Sequence, residues 1–267
     1  MGQSGKFFNA DGSTTGVWTT NIIKNKLRPI IPASRQHSGT FGDGTILWDW
    51  LAFEVPKGSS KLISVTAIIR GTDGAAQGAL PIDLVFGRSI DGVPPPSLGT
   101  VGAAVTTFNW ANNIAGYHSI VAGDYTDADL VTLRVAQSGI TTGSKELVLT
   151  GEPISGHNVG YDTLYVAALA KAVFDFRGTV QIATARDAAA VASSAALSGV
   201  LKTKSAEVNF SAGDVLHDDE DLVLGEIQSI ESSTAITYRA GTQDDVHALN
   251  RRVYNIHPVS LILGFEL

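Results

Sequence analysis

The stretch Phe210–Gly241, FSAGDVLHDDEDLVLGEIQSIESSTAITYRAG, decides the fold class. Its Gly213-Asp214 pair signals a tight turn, and apolar and polar residues then alternate through Leu224, Glu226, Ile227, Gln228 and Ile230. Glu231-Ser232-Ser233 supplies a second polar turn, after which Thr234, Ala235, Ile236, Thr237 and Tyr238 run on. Two short runs joined by a small polar turn predict a β-hairpin. Residues 206–250 therefore read as a small β module inserted in a longer body, formed by 16–205 plus 251–267, with a Gly/Ser/Thr/Asn-rich arm at 1–15.

The body carries the same signature. Pro258–Leu267 alternates sharply, with Val259, Leu261, Leu263, Phe265 and Leu267 on one side against Ser260, Gly264 and Glu266. Such a strand buries one face in a sheet. Lys61–Arg70 sets Ile63, Val65, Ala67 and Ile69 one way, and Pro81–Arg88, Leu130–Ala136, Glu146–Thr150 and Thr179–Ala185 add further strands. Gly16–Lys24 reads as a first strand that stays extended from Leu27 to Pro32, with Pro29 marking an edge or bulge. Thr106–Ile114 mixes strand and loop, and Tyr161–Phe176 is dense enough for a helix but β-branched and aromatic enough to favour a strand.

Ile46–Val55, ILWDWLAFEV, differs in being apolar on both faces. Leu47, Leu51, Phe53 and Val55 share one side, while Ile46, Trp48, Trp50 and Ala52 share the other. A strand of this kind is either covered twice by its own chain, which is the preferred reading, or covered once by another subunit. Asp187–Leu197 is the one good helix candidate, with Asp187 as its cap and Gly199 as its stop. With 28 glycines and nine prolines spaced between strands, the chain reads as all-β: a β-sandwich, jelly-roll-like, with the 206–250 module inserted.

Composition excludes several roles. At 267 residues, a chain buries roughly 75% of its unfolded surface, so the core needs no staples. There is no cysteine, hence no disulfide, thiolate ligand or thiol nucleophile. A net charge of −7 argues against a nucleic-acid partner, and Lys24, Lys26 and Arg28 read as a solvated face. No apolar run approaches the ~20 residues needed to span a bilayer, so no membrane partner is expected. The opening MGQSGKFFNADGSTTG lacks signal-peptide order, which predicts a protein made in the cytoplasm.

Catalytic signatures are likewise missing. GQSGK at Gly2–Lys6 is too short for a phosphate loop and follows no strand. No G-x-S-x-G elbow occurs, and His37, His118, His157, His217, His247 and His257 show no metal-ligand spacing. Two acidic clusters, Asp124/Asp127/Asp129 and Asp218–Asp221, have the oxygens a hard cation prefers, yet solvated turns explain them better. Pro94-Pro95-Pro96 lacks the flanking basic residues of a peptide ligand, and Asn209-Phe210-Ser211 matters as a glycosylation sequon only in a secretory setting. No enzymatic activity, cofactor or metal is expected. The candidate functional residues are Trp18, Trp48, Trp50 and Trp110, as core, as subunit interface or as a sugar-stacking platform.

The GDVLHDDEDLVLGEIQSIESSTAITYRAG segment resembles the small SH3-like barrels inserted in virion proteins of tailed bacteriophages. With the HPVSLILGFEL end and the Gly/Ser-rich arm, the chain looks like a virion structural protein of the head decoration or cement type. That resemblance implies a homo-oligomer, a trimer by preference, that binds the major capsid protein on the outer surface of the capsid. It implies the virion as location. The alternative reading is a tail fibre or baseplate module that binds host surface carbohydrate.

Overall fold

The computed structural model describes residues 7–8, 14–15, 22–38, 40–70, 79–127, 133–139, 147–152, 161–174, 176, 198–202, 210–218, 220–232, 235–240 and 253–266. Over these residues the protein is all-β. Strands β1 (Phe7–Phe8) and β2 (Thr14–Thr15) pair as a two-stranded sheet of their own within the span expected to be an arm. Next come β3 (Ile22–Leu27), helix α1 (Ala33–Ser38), β4 (Ile46–Pro56), β5 (Ser59–Arg70), β6 (Ile82–Arg88) and β7 (Ile114–Ile120). They are followed by β8 (Tyr125–Asp127), β9 (Leu133–Gly139), β10 (Leu147–Thr150), β11 (Tyr161–Ala170) and β12 (Ser198–Lys202). The order ends with β13 (Val215–Asp218), β14 (Val223–Ser232), β15 (Ala235–Ala240), β16 (Val253–Asn255) and β17 (Val259–Glu266).

Sheet one runs β3-β17-β5-β9-β8, with β10 pairing the start of β5, and sheet two runs β4-β11-β6-β7. All pairings are antiparallel. The two sheets share one apolar cluster, in a sandwich-like arrangement. Val259, Leu261, Leu263 and Phe265 of β17 meet Phe53 and Val55 of β4 and Leu84 and Phe86 of β6 there, all buried. Phe53 stacks on Phe265 with ring centroids 5.8 Å apart. The alternation read from Pro258–Leu267 therefore marks an interior strand of sheet one, paired on both edges, between β3 and β5.

Alternation misassigns two strands because bulges interrupt them. Opposite β11, β4 carries extra residues, so Val166 faces Leu51 while Ala168 faces Trp48. One inserted residue moves every later side chain to the other face. Trp48 thus joins Phe53 and Val55 between the sheets, whereas Trp50 and Ile46 stay on the outer face. Likewise Phe265 pairs with Leu62 and Gly264 with Ser64, so β5 bulges at Ile63 and Leu62 takes the core position expected for Ile63.

One element is new and one expectation changes. The chain leaves β3 after Leu27, has no regular structure over 28–32 and forms α1 directly behind Pro32, a helix not expected from the sequence. The Thr106–Ile114 stretch is loop and a 3-10 turn at Ala111–Asn113, with β7 beginning only at Ile114. The Asp187–Leu197 helix, the Thr179–Ala185 strand and residues 16–21 lie outside the described residues.

Sheet three has the order β12-β15-β14-β13-β16 and contains the expected hairpin as β14–β15. Its strands reach from 198 to 255, beyond the 206–250 span read from sequence. Strand β14 carries an extra residue at Leu224, Gln228 and Glu231 relative to its neighbours, and bulges of this kind bend and twist a sheet. Leu216, Ile227, Ile236 and Tyr238 are buried. Gly225 sits at φ 147°, and a side chain there would run into the carbonyl oxygen of Arg239 on β15. Gly225→Ala is therefore expected to destabilise the protein by about 3 kcal/mol, read as a lowered urea midpoint; an unchanged midpoint would show that β14 and β15 are not held this close.

Candidate interaction surface

The outer face of sheet two is built by the long segment between β6 and β7. After Arg88 the chain makes a two-residue turn at Asp91-Gly92, both left-handed at φ 52° and 75°, closed by Ile90–Val93 backbone hydrogen bonds of 3.0 and 2.9 Å. Asp-Gly is the pair such a turn favours, since both residues must take positive φ. Pro94-Pro95-Pro96 then crosses back over the sheet. The Trp50 indole N–H donates to the carbonyl of Pro96 at 2.8 Å. Beneath the ring lies Gly87, where an added Cβ would meet Trp50 at 2.9 Å and Pro95 at 3.4 Å. Only a glycine leaves room for this stack.

Further along, the Leu98 amide donates to Asp49 Oδ1 at 3.0 Å, and the Trp110 indole N–H donates to the Thr107 carbonyl at 2.7 Å. Leu98 and Trp110 are buried against Ile46, Val85 and Ala167, with Trp50, Val105 and Leu169 packed beside them. The second apolar face of β4 is thus covered by the chain's own 89–113 segment.

Of the four candidate tryptophans, the fold brings together Trp50 and Trp110, edge to face with centroids 6.2 Å apart. Trp48 is 2% exposed between the sheets, and Trp18 lies outside the described residues. Phe108, which no sequence pattern singles out, is 68% exposed and leans on Trp110 at 6.0 Å. It is not alone in being left outside. Ile90, Val93, Phe108, Ile114, Tyr117 and Val121 are six of the ten large apolar side chains exposed among the described residues. Ile114, Tyr117 and Val121 belong to or adjoin β7, the edge strand of sheet two. The Asn113 side-chain amide donates to the Arg88 carbonyl at 2.9 Å, which ties the Ile90–Val93 turn to the start of that strand.

Beside Tyr117, the buried Asp83 carboxylate accepts the Ser119 hydroxyl at 2.6 Å and faces Lys171 at 3.4 Å. Burial, then its hydrogen bond to Asp83, raises the Tyr117 phenol, and Asp83 raises Lys171. His118 on the same strand is lowered by burial, against the opposing pull of Asp124.

A second constellation joins sheet three to the body. Asp214, fully buried at the turn before β13, lies in an ion pair with Arg28, and its Oδ2 accepts from Arg70 at 3.0 Å. The same Oδ2 accepts the Asn255 side-chain amide at 2.7 Å and the Ser211 backbone amide at 2.8 Å. Burial, then the neighbouring Arg28, lowers Arg70 to about 10, which leaves it charged at neutral pH. Arg28 is therefore part of a seam, not of the solvated face expected for Lys24, Lys26 and Arg28. In the sequence Asp214 reads only as a turn residue; no spacing links positions 28, 70 and 214.

Both acidic clusters have local duties. Asp218 Oδ1 accepts the Glu220 and Leu222 amides, each at 2.9 Å, and Asp221 caps α1 through the Ser34 amide at 2.8 Å and the Ser34 hydroxyl. Asp124 accepts the Val121 amide at 2.9 Å, and Asp129 lies outside the described residues. Among the described residues no group of three or more His, Asp or Glu is placed to hold a metal ion, and no helix is long and apolar enough to cross a membrane. His157, His247, Asn209 and Gly2–Lys6 fall outside the described residues. Comparisons with protein-family models, curated proteins and solved structures found no match to this chain.

Proposed function

We propose that the protein is a non-enzymatic virion structural protein of a tailed bacteriophage that decorates and stabilises the capsid exterior. In this reading it forms a homo-oligomer, a trimer by preference, and clamps neighbouring major capsid subunits. The carrying observation is the concentration of exposed apolar side chains at 90–121, on the segment that covers sheet two and on and beside its edge strand β7. Subunit interfaces concentrate aromatic and apolar groups in this way, and an edge strand offers unpaired backbone to a neighbour. The jelly-roll reading of the body and the SH3-like reading of sheet three belong to the same proposal. Attachment at many equivalent points gives retention through avidity, and binding only the assembled shell raises shell stability.

The test is mass by light scattering over a concentration series, for the protein and for Phe108→Asp. The wild type is expected to be a stable oligomer that is retained on capsids. Loss of an aromatic anchor should weaken self-association by about 30-fold or more, without altering the far-UV spectrum. A wild-type monomer that is not retained on capsids would overturn the proposal, and saturable binding of that monomer to host glycan would point instead to a carbohydrate-binding tail module.

A further inference from the structure

We propose that the seam between sheet three and the two-sheet body is an acid-sensitive latch, with His257 as the residue that takes the proton. His257 lies where the chain passes from β16 to β17, that is, from sheet three into the body. Its backbone amide donates to Asn255 Oδ1 at 2.8 Å, and Asn255 Nδ2 in turn donates to Asp214. The ring Nδ1 is 3.2 Å from the carbonyl of Pro29, which only a protonated Nδ1 can satisfy. Nε2 is therefore the nitrogen that takes the second proton.

The charged groups that act on this ring are Arg28, which follows β3, and Arg70, which ends β5, and both guanidiniums sit on the carboxylate of Asp214, which precedes β13. One carboxylate already answers two cations, so an imidazolium would be a third positive charge in a half-buried site. Burial foremost holds His257 below its ordinary value, with the two guanidinium charges adding to it, against the opposing hydrogen bonds to the Pro29 and Arg28 backbone. The closed seam refuses a proton that the open seam accepts. As pH falls below the ordinary histidine value of about 6.5, the opening constant rises, by at most about tenfold per pH unit, until the folded value is reached. Above that range the latch holds at full strength. The surrounding contacts set what is released: Ile31 N–H to the Ile256 carbonyl at 2.8 Å, and Gln36 Nε2 to the Ile31 and Asn255 carbonyls at 2.8 and 2.9 Å.

Hydrogen exchange on the full chain tests this, at about pH 7.5 and about pH 5.5 after correction for intrinsic rates. Peptides covering 210–218 and 253–257 should gain exchange in acid, by up to about tenfold, while β4 and β11 stay protected. His257→Gln, neutral at both pH values, should abolish that gain, and His118→Gln should keep it. A wild-type seam that stays protected in acid overturns the latch, as does a His257→Gln variant that still opens. Should that variant fail to fold, titration of the wild-type imidazoles by NMR decides: His257 must protonate as the seam opens, and protonation with the seam still protected overturns the latch equally.

Discussion

Asp214→Ala is expected to lower the unfolding free energy by about 3 kcal/mol, because it strands two guanidiniums that were placed to share one carboxylate. The carboxylate is fully buried, and the Arg70 and Arg28 side chains are 10% and 28% exposed. Water can reach part of Arg28, which holds the figure at the lower end of what breaking a buried pair costs. Two further donors, the Asn255 amide and the Ser211 N–H, would lose their acceptor in the same step. The Lys61–Glu266 pair offers a contrast at 3.3 Å, since both partners are about one-third exposed and such pairs contribute well under ~1 kcal/mol. Urea denaturation followed by far-UV dichroism measures the difference. An Asp214→Ala midpoint equal to that of the wild type would mean that the seam does not anchor sheet three.

The second large effect belongs to Trp48. Trp48→Ala should cost about 4 kcal/mol, through lost burial and the cavity left between sheets one and two. The ring is 2% exposed and packs in the cluster that holds Phe53, Val55 and Phe265. That loss should appear in the isolated chain at any concentration. Phe108→Asp, at a ring 68% exposed, should leave the unfolding free energy within about 0.5 kcal/mol of wild type when both are measured at concentrations too low for self-association. If Trp48→Ala instead weakened self-association while sparing stability, Trp48 would have to face a neighbouring subunit, contrary to its place between the sheets.

These two residues also show what the sequence discloses. Period-two alternation identified β17, where Val259, Leu261, Leu263 and Phe265 are all buried, while the polar turn between two apolar runs marked the β14–β15 hairpin even though β14 bulges within its run. It put Trp48 beside Trp50 because alternation has no means of registering a bulge, and the extra residue in β4 becomes visible only against β11. Leu62 and Ile63 exchange roles in β5 for the same reason. Helix α1 left no local signal: it is six residues long, and its cap is Asp221, 187 positions away. The aromatic surface was half legible. Trp50 and Trp110 were singled out, but their union depends on the path of Pro94–Pro96 over Gly87, and Phe108 gave no sign that it would be left outside. Least legible was the Arg28–Arg70–Asp214 seam, whose members look like an exposed basic run, a strand end and a turn.

The order of sheet one carries a consequence for how the chain is made. Strands β3 and β5 have both been synthesised once Arg70 is in place, yet they do not pair with each other. Each pairs with β17, at Val259–Glu266, which lies between them. Until that segment leaves the ribosome, each keeps an open edge, and pairing across so long a separation is slow. Unpaired edges of this kind are where nascent chains stick to one another. Sheet three has all its strands within 198–255, so its components are complete before β17 emerges. The strand that closes the older sheet therefore arrives tethered to a younger one that is already available to fold.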